Sequence, residues 1–153
     1  MKRFALASAT LMLLATTACS DDGGDASPIA SPPSAAVATG PASISLASSS
    51  IGDVVVGQGG MSVYLFVPDG AKTPTCVDSC LDRWPIVAEV AEVGAGLDAS
   101  LLGHVTHPNG TEQATYNGWP LYYFGGDTAA GDTNGQGVGD VWFTLDAAGA
   151  ANS

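Results

Sequence analysis

Few side chains in this chain of 153 residues are equipped for chemistry, and they fall into a few groups. Cys76 and Cys80 are spaced Cys-x3-Cys, and His104 and His107 are spaced His-x2-His. A tight loop or one helical turn brings cysteines at that spacing within bridging distance. A disulfide is their simplest fate outside the cytoplasm. The sharper alternative is a metal or redox site completed by His104 and His107. Against it, the two histidines are an odd number of residues apart on a segment that reads as a strand, so they leave opposite faces. The second group is rich in oxygen: Asp127, Asp132, Asn134 and Asp140 punctuate a glycine-rich loop. Oxygen ligands on an acidic chain suit a hard cation, which makes a weak calcium site the alternative to a plain polar loop. An EF-hand loop beginning at Asp132 would close on a bidentate Glu, and Phe143 stands there.

The third group is a motif that occurs twice. Tyr64, Phe66 and Asp69 recur as Tyr122, Phe124 and Asp127. Such a Tyr and Asp could form a ligand-binding pair, repeated by pseudosymmetry. The structural alternative is that Tyr and Phe fill a core layer while Asp caps the turn that ends the strand. Asp69 lies in Pro-Asp-Gly and Asp127 in Gly-Gly-Asp-Thr, both contexts in which Asp bonds nearby backbone amides. A residue kept in both copies of a unit is more easily explained by the fold, so the structural reading is preferred. Trp84, Trp119 and Trp142 could likewise offer a stacking platform, but tryptophans in a small β domain more often pack its core. No Gly-x-Ser-x-Gly, His-Glu-x-x-His or phosphate-loop signature stands in the sequence, and a non-catalytic role is expected.

The elements that must position these residues follow from the duplication. Tyr64 and Tyr122 are offset by 122 − 64 = 58 residues, and the same offset carries Gly60 onto Gly118, Asp82 onto Asp140 and Trp84 onto Trp142. A period of this length suits three or four strands. Local signals agree. Val54, Val55 and Val56 are a β-branched run, a glycine-rich turn follows, and residues 61–67 read as a strand. Residues 112–116 and 120–124 flank Asn117-Gly118, a strong hairpin turn, and Pro108-Asn109-Gly110 marks another. Residues 141–145 give a last strand. The one expected helix is a turn or two near Leu97 to Leu102, started by Asp98. Tyr64 and Phe66 share one strand face and Val63 and Leu65 the other. Strands apolar on both faces need cover on both, which predicts an all-β domain of two tandem repeats forming a small sandwich or barrel.

Outside the repeats the chain reads as an address and a tether. Lys2 and Arg3 precede an apolar stretch, residues 4–18, too short to span a bilayer and typical of a signal peptide. It leads directly into Cys19 in a pattern that resembles a bacterial lipoprotein signal. That resemblance implies lipid, such as palmitate, on Cys19 and residence on the outer face of the cell membrane. Residues 19–50, rich in Ser, Ala, Pro, Gly and Asp, are expected to be a disordered tether. The β domain is then placed at 51–149, with repeat 1 at about 52–105 and repeat 2 at about 106–149. The formal net charge is −11, and removing Lys2 and Arg3 with the signal leaves 2 − 15 = −13. So acidic a surface excludes nucleic acid as a partner. The expected partners are the membrane, through the anchor, and an unidentified envelope ligand or protein.

The doubled Tyr-x-Phe-x-x-Asp motif is similar to the signature of the secreted-repeat lipoproteins, Tyr-x-(Phe/Trp/Tyr)-x-x-Asp. The supporting blocks are Cys76-x3-Cys80 with Trp84-Pro85, the run from Gln113 to Tyr122, and Gly131-Asp132 through Gly137 to Trp142. The similarity covers about residues 52–149. It implies an extracytoplasmic location and a tandem repeat, and no catalytic assignment, because that family's function is unknown. Separately, Cys-x3-Cys with a distant His is similar to copper-delivery proteins of the thioredoxin fold, which would make copper the metal of the alternative reading. The strands here do not alternate with helices as that fold requires.

Overall fold

A computed structural model describes residues 42–70, 73–88 and 90–153. The expected signal peptide, Cys19 and the early part of the tether lie outside the described residues. The domain is mostly β. Its strands are β1 (Ser43–Ser49), β2 (Gly52–Val56), β3 (Tyr64–Phe66), β4 (Glu92–Val93), β5 (Leu102–Thr106), β6 (Glu112–Tyr116), β7 (Trp119–Pro120) and β8 (Trp142–Thr144). They form three small sheets, ordered β2-β1-β4, β3-β8 and β5-β6-β7.

Three expectations are corrected. The tether does not run to Ser50, because β1 occupies its last residues and Ile44 is fully buried. The repeats therefore begin one strand earlier than about 52 and 106, at the hairpins β1–β2 and β5–β6. The hairpins match in register: Leu46 faces Val55 as His104 faces Ala114, and Ser48 faces Asp53 as Thr106 faces Glu112. Both carry the same cross-strand bond, Ser48 Oγ to Asp53 and Thr106 Oγ1 to Glu112, each 2.7 Å. The third correction concerns the helix. The α-helical turn, α1, is Cys80–Arg83, beginning at the second cysteine. The segment expected to be helical holds a 3-10 turn at Ala99–Leu101, capped by Asp98, whose carboxylate accepts the Ser100 N–H.

Within the described domain, a pseudo-twofold axis passes between the Tyr64 and Tyr122 backbones. Tyr64 N–H donates to Tyr122 O at 2.8 Å, and Tyr122 N–H donates to Tyr64 O at 2.9 Å. Outward from this pair, β3 lies against β8, with Phe66 opposite Trp142, while Tyr122 bridges Ile86. The flanking bonds repeat as well: Val67 N–H to Val141 O and Gly125 N–H to Arg83 O are both 2.8 Å. Alternation then gives this row of strands two apolar faces. One face contributes Val63, Leu65 and Leu121 to a cluster with Ile44, Val55, Val87 and Leu145. The other contributes Tyr64 and Tyr122 to a cluster with Cys76, Trp84 and Trp142.

Candidate functional site

The repeat motif meets at the second of these clusters, and its pairing is reciprocal. Tyr64 donates its hydroxyl to Asp127 Oδ2, and Tyr122 donates to Asp69 Oδ2, both at 2.7 Å. Each tyrosine thus reaches the aspartate of the other repeat rather than its own. The remaining carboxylate oxygens hold loops. Asp69 Oδ1 accepts the Thr75 N–H at 2.7 Å and the Thr75 hydroxyl at 2.6 Å. Asp127 Oδ1 accepts the Asn134 N–H at 2.9 Å. The Tyr64 hydroxyl also accepts from Gly135 N–H at 3.2 Å. Only glycine fits there, since a Cβ on residue 135 would lie 2.8 Å from Tyr64 Cζ and 2.9 Å from Trp84 Cη2.

Around these pairs the aromatic rings form a column. Phe66 stacks on Trp142 at 4.2 Å and Trp142 on Trp84 at 3.7 Å with planes 2° apart, while Phe124 lies tilted by 35° against Trp84 at 4.4 Å. The tyrosines meet the column edge-on, Tyr64 against Trp84 at 5.4 Å and Tyr122 against Trp142 at 5.3 Å. The stack therefore alternates between the repeats and is closed by the same axis. Trp84 and Trp142 are buried and Trp119 is half-buried against the other cluster, so the three do not make an exposed platform.

Burial, with the Asp127 bond second, pushes the Tyr64 hydroxyl well above the usual tyrosine range; burial and then Asp69 do the same to Tyr122. A proton held more tightly in the folded state stabilises it fully below the unfolded pKa, about 10 for tyrosine. That contribution is lost as pH rises from there toward the folded values. The denaturation midpoint should therefore drop above about pH 10, and Tyr64→Phe with Tyr122→Phe should flatten the drop. Chemical denaturation between neutral and strongly alkaline pH measures both.

Cys76 and Cys80 form a disulfide with Cα atoms 5.4 Å apart. The Cys76 carbonyl accepts from His107 Nε2 at 2.9 Å, and His107 Nδ1 accepts the Asn109 N–H at 3.2 Å. His104 Nε2 lies 3.0 Å from the Val90 carbonyl. The alternative site of Cys76, Cys80, His104 and His107 is thus corrected: the sulfurs are bonded to each other and both rings bond backbone carbonyls. The candidate calcium set is corrected too. Asp127 points into the core. Asp132 turns back on its own loop, where the N–H groups of Thr128 and Ala129, both at 2.9 Å, hold its carboxyl below the usual range. Asn134 Nδ2 donates to Gly126 O, and Asp140 sits in a 3-10 turn, Val138–Asp140. Among the described residues, no group of three or more His, Cys, Asp and Glu is placed to hold a metal ion. Sequence reasoning missed Thr75, which Asp69 holds from six residues before it, and Gly135, whose fit against Tyr64 and Trp84 depends on contacts far along the chain.

These features define a duplicated all-β domain whose motif residues join the two copies. The secreted repeat of unknown function matches residues 45–88 and 103–146, more than half of the chain. The chain belongs to that family. The matched segments are offset by 103 − 45 = 58 residues and begin within β1 and β5, where the structure starts each repeat. No curated protein and no solved structure matches the chain.

Proposed function

We propose that this chain is exported, lipidated at Cys19 and held on the outer face of the bacterial cell membrane, where its β domain serves as a non-catalytic binding module for an envelope partner. The carrying observation is how the motif is used. Asp69 and Asp127 commit both carboxylate oxygens to tyrosines and loop groups inside the domain. The groups best suited to acid–base work are thereby engaged in the fold, which leaves binding to the surface. The disulfide supports an oxidising compartment, and membership of a secreted-repeat family supports an extracellular location. Lys2, Arg3, the apolar residues 4–18 and Cys19 support the anchor.

Cell fractionation of the Cys19→Ser chain tests the anchor. The variant should move from the membrane to the soluble fraction and lose incorporation of labelled palmitate. Unchanged retention on membranes would refute lipidation.

A further inference from the structure

The two repeats differ in one respect that the axis exposes. In the first, β1 is covered on its outer side by β4, which runs parallel to it with Ser43 opposite Glu92 and Ile44 opposite Val93. Gly94 N–H donates to the Ile44 carbonyl, and Leu46 N–H donates to the Ala95 carbonyl at 3.2 Å. In the second repeat the counterpart of β1 is β5, with Leu102 in the place of Ile44 and His104 in the place of Leu46. Ala114, opposite His104, sends its N–H to Val87 and its carbonyl to Leu121, away from β5. His104 and Ala114 are therefore a non-hydrogen-bonded pair, and the His104 N–H points outward; two residues back, so does the Leu102 carbonyl. Among the described residues no strand pairs with this edge. The segment after β8 turns back on β8 instead, with Leu145 bridging Ala151. Burial reflects the difference: Ile44 is fully buried, Leu102 half-buried. Beside the open edge, on one face of the β5–β6 hairpin, lies a groove of about 410 Å³ lined by Leu101, Gly103, His104, Val105, Thr115 and Gly118.

We propose that β5 is a docking edge for an extended peptide segment of another protein, which adds parallel to β5 as β4 adds to β1. The proposal rests on the reading of the domain as a binding module and names where the partner sits. The internal strand serves as the template. Its occupant donates to Ile44 O and accepts from Leu46 N–H, so the incoming peptide donates to Leu102 O and accepts from His104 N–H. Its chemistry follows from the groove. In the first repeat Gly94 clears Ser45, because a Cβ there would come within 2.8 Å of Ser45 Cβ. In the second the glycine is on the receiving strand, Gly103, so the peptide carries a small apolar side chain at that level. The lining has no carboxylate, while the whole chain carries a net charge of −11. That field favours a neutral or basic peptide and disfavours a second copy of this acidic chain.

The test uses the full chain and a synthetic peptide with the sequence of residues 90–97, alongside its Glu92→Lys version. Amide hydrogen exchange is read by NMR. In the protein alone the His104 amide should exchange freely while that of Leu46 is protected. Saturating peptide should slow His104 exchange about tenfold, and the lysine version should bind several-fold tighter, less so at high salt. His104→Pro removes the outward N–H together with the ring's bond to the Val90 carbonyl; it should keep the fold and abolish peptide binding, read from chemical-shift changes at the other β5 amides. Val105→Lys, placing a charge in the groove, should do the same. Three results would overturn the proposal: no slowing by either peptide, protection of His104 in the monomeric protein alone, or a dimer in solution that His104→Pro dissociates. The Cys19→Ser experiment reads the anchor independently, so a negative titration removes the docking edge and leaves the anchoring untouched.

Discussion

Replacing Trp84 or Trp142 with alanine should cost about 3–5 kcal/mol of folding stability, measured by urea denaturation. Each indole is at least nine-tenths buried and has an aromatic ring on both faces, with a tyrosine edge against it. Truncating either one removes its own contacts and strips one face from each neighbour in the column. The void cannot close readily, because the backbones on either side are fixed by the pairing around Tyr64 and Tyr122. Domains of this size are stable by roughly 5–15 kcal/mol, so the loss is a large share of the total. Trp119→Ala, at a half-buried position, should cost clearly less. A loss below about 1 kcal/mol for Trp84 or Trp142 would contradict the column as the centre of the fold.

The second large effect concerns who holds whom. Asp127→Ala leaves the Tyr64 hydroxyl and the Asn134 N–H without their acceptor, at about 1–3 kcal/mol for each buried group that finds no substitute. Asp69→Ala does the same to Tyr122 and Thr75. Double-mutant cycles make the test specific. Tyr64→Phe combined with Asp127→Ala should show coupling of about 0.5–3 kcal/mol, whereas Tyr64→Phe combined with Asp69→Ala should be closer to additive. Strong coupling within one motif copy, and none across copies, would contradict the reciprocal pairing.

Much of this architecture was legible where local chemistry and periodicity agreed. Glu112 to Tyr116 followed by Asn117-Gly118 reads as strand and turn, and so it folds. The offset that aligns Tyr64 with Tyr122 and Trp84 with Trp142 revealed the duplication. β1 was missed although Ile44 and Leu46 alternate as a strand requires. Its serines and alanines match a disordered composition, and only the partner β2 makes burial of Ile44 worthwhile. The α-helical turn at Cys80–Arg83 was hidden because a tight loop and a turn of helix both bring cysteines of this spacing together, and the turn begins only at the second of them. The motif itself was readable as core rings and a turn-capping Asp, but not its exchange of partners. Those bonds span 63 and 53 residues, and no local spacing encodes them.

The exchange of partners has a consequence for the order in which the chain can fold. Tyr64 and Phe66 leave the ribosome early, but Asp127 and Trp142, which complete their surroundings, come near the end. Neither copy can complete its tyrosine–aspartate bonds or its ring stack without the other. The same reciprocity is the contact pattern of a symmetric pair of chains, each giving its tyrosine to the aspartate of an identical neighbour. Fusion of such a pair would make its once intermolecular axis permanent, and free each copy to change wherever the axis does not pass.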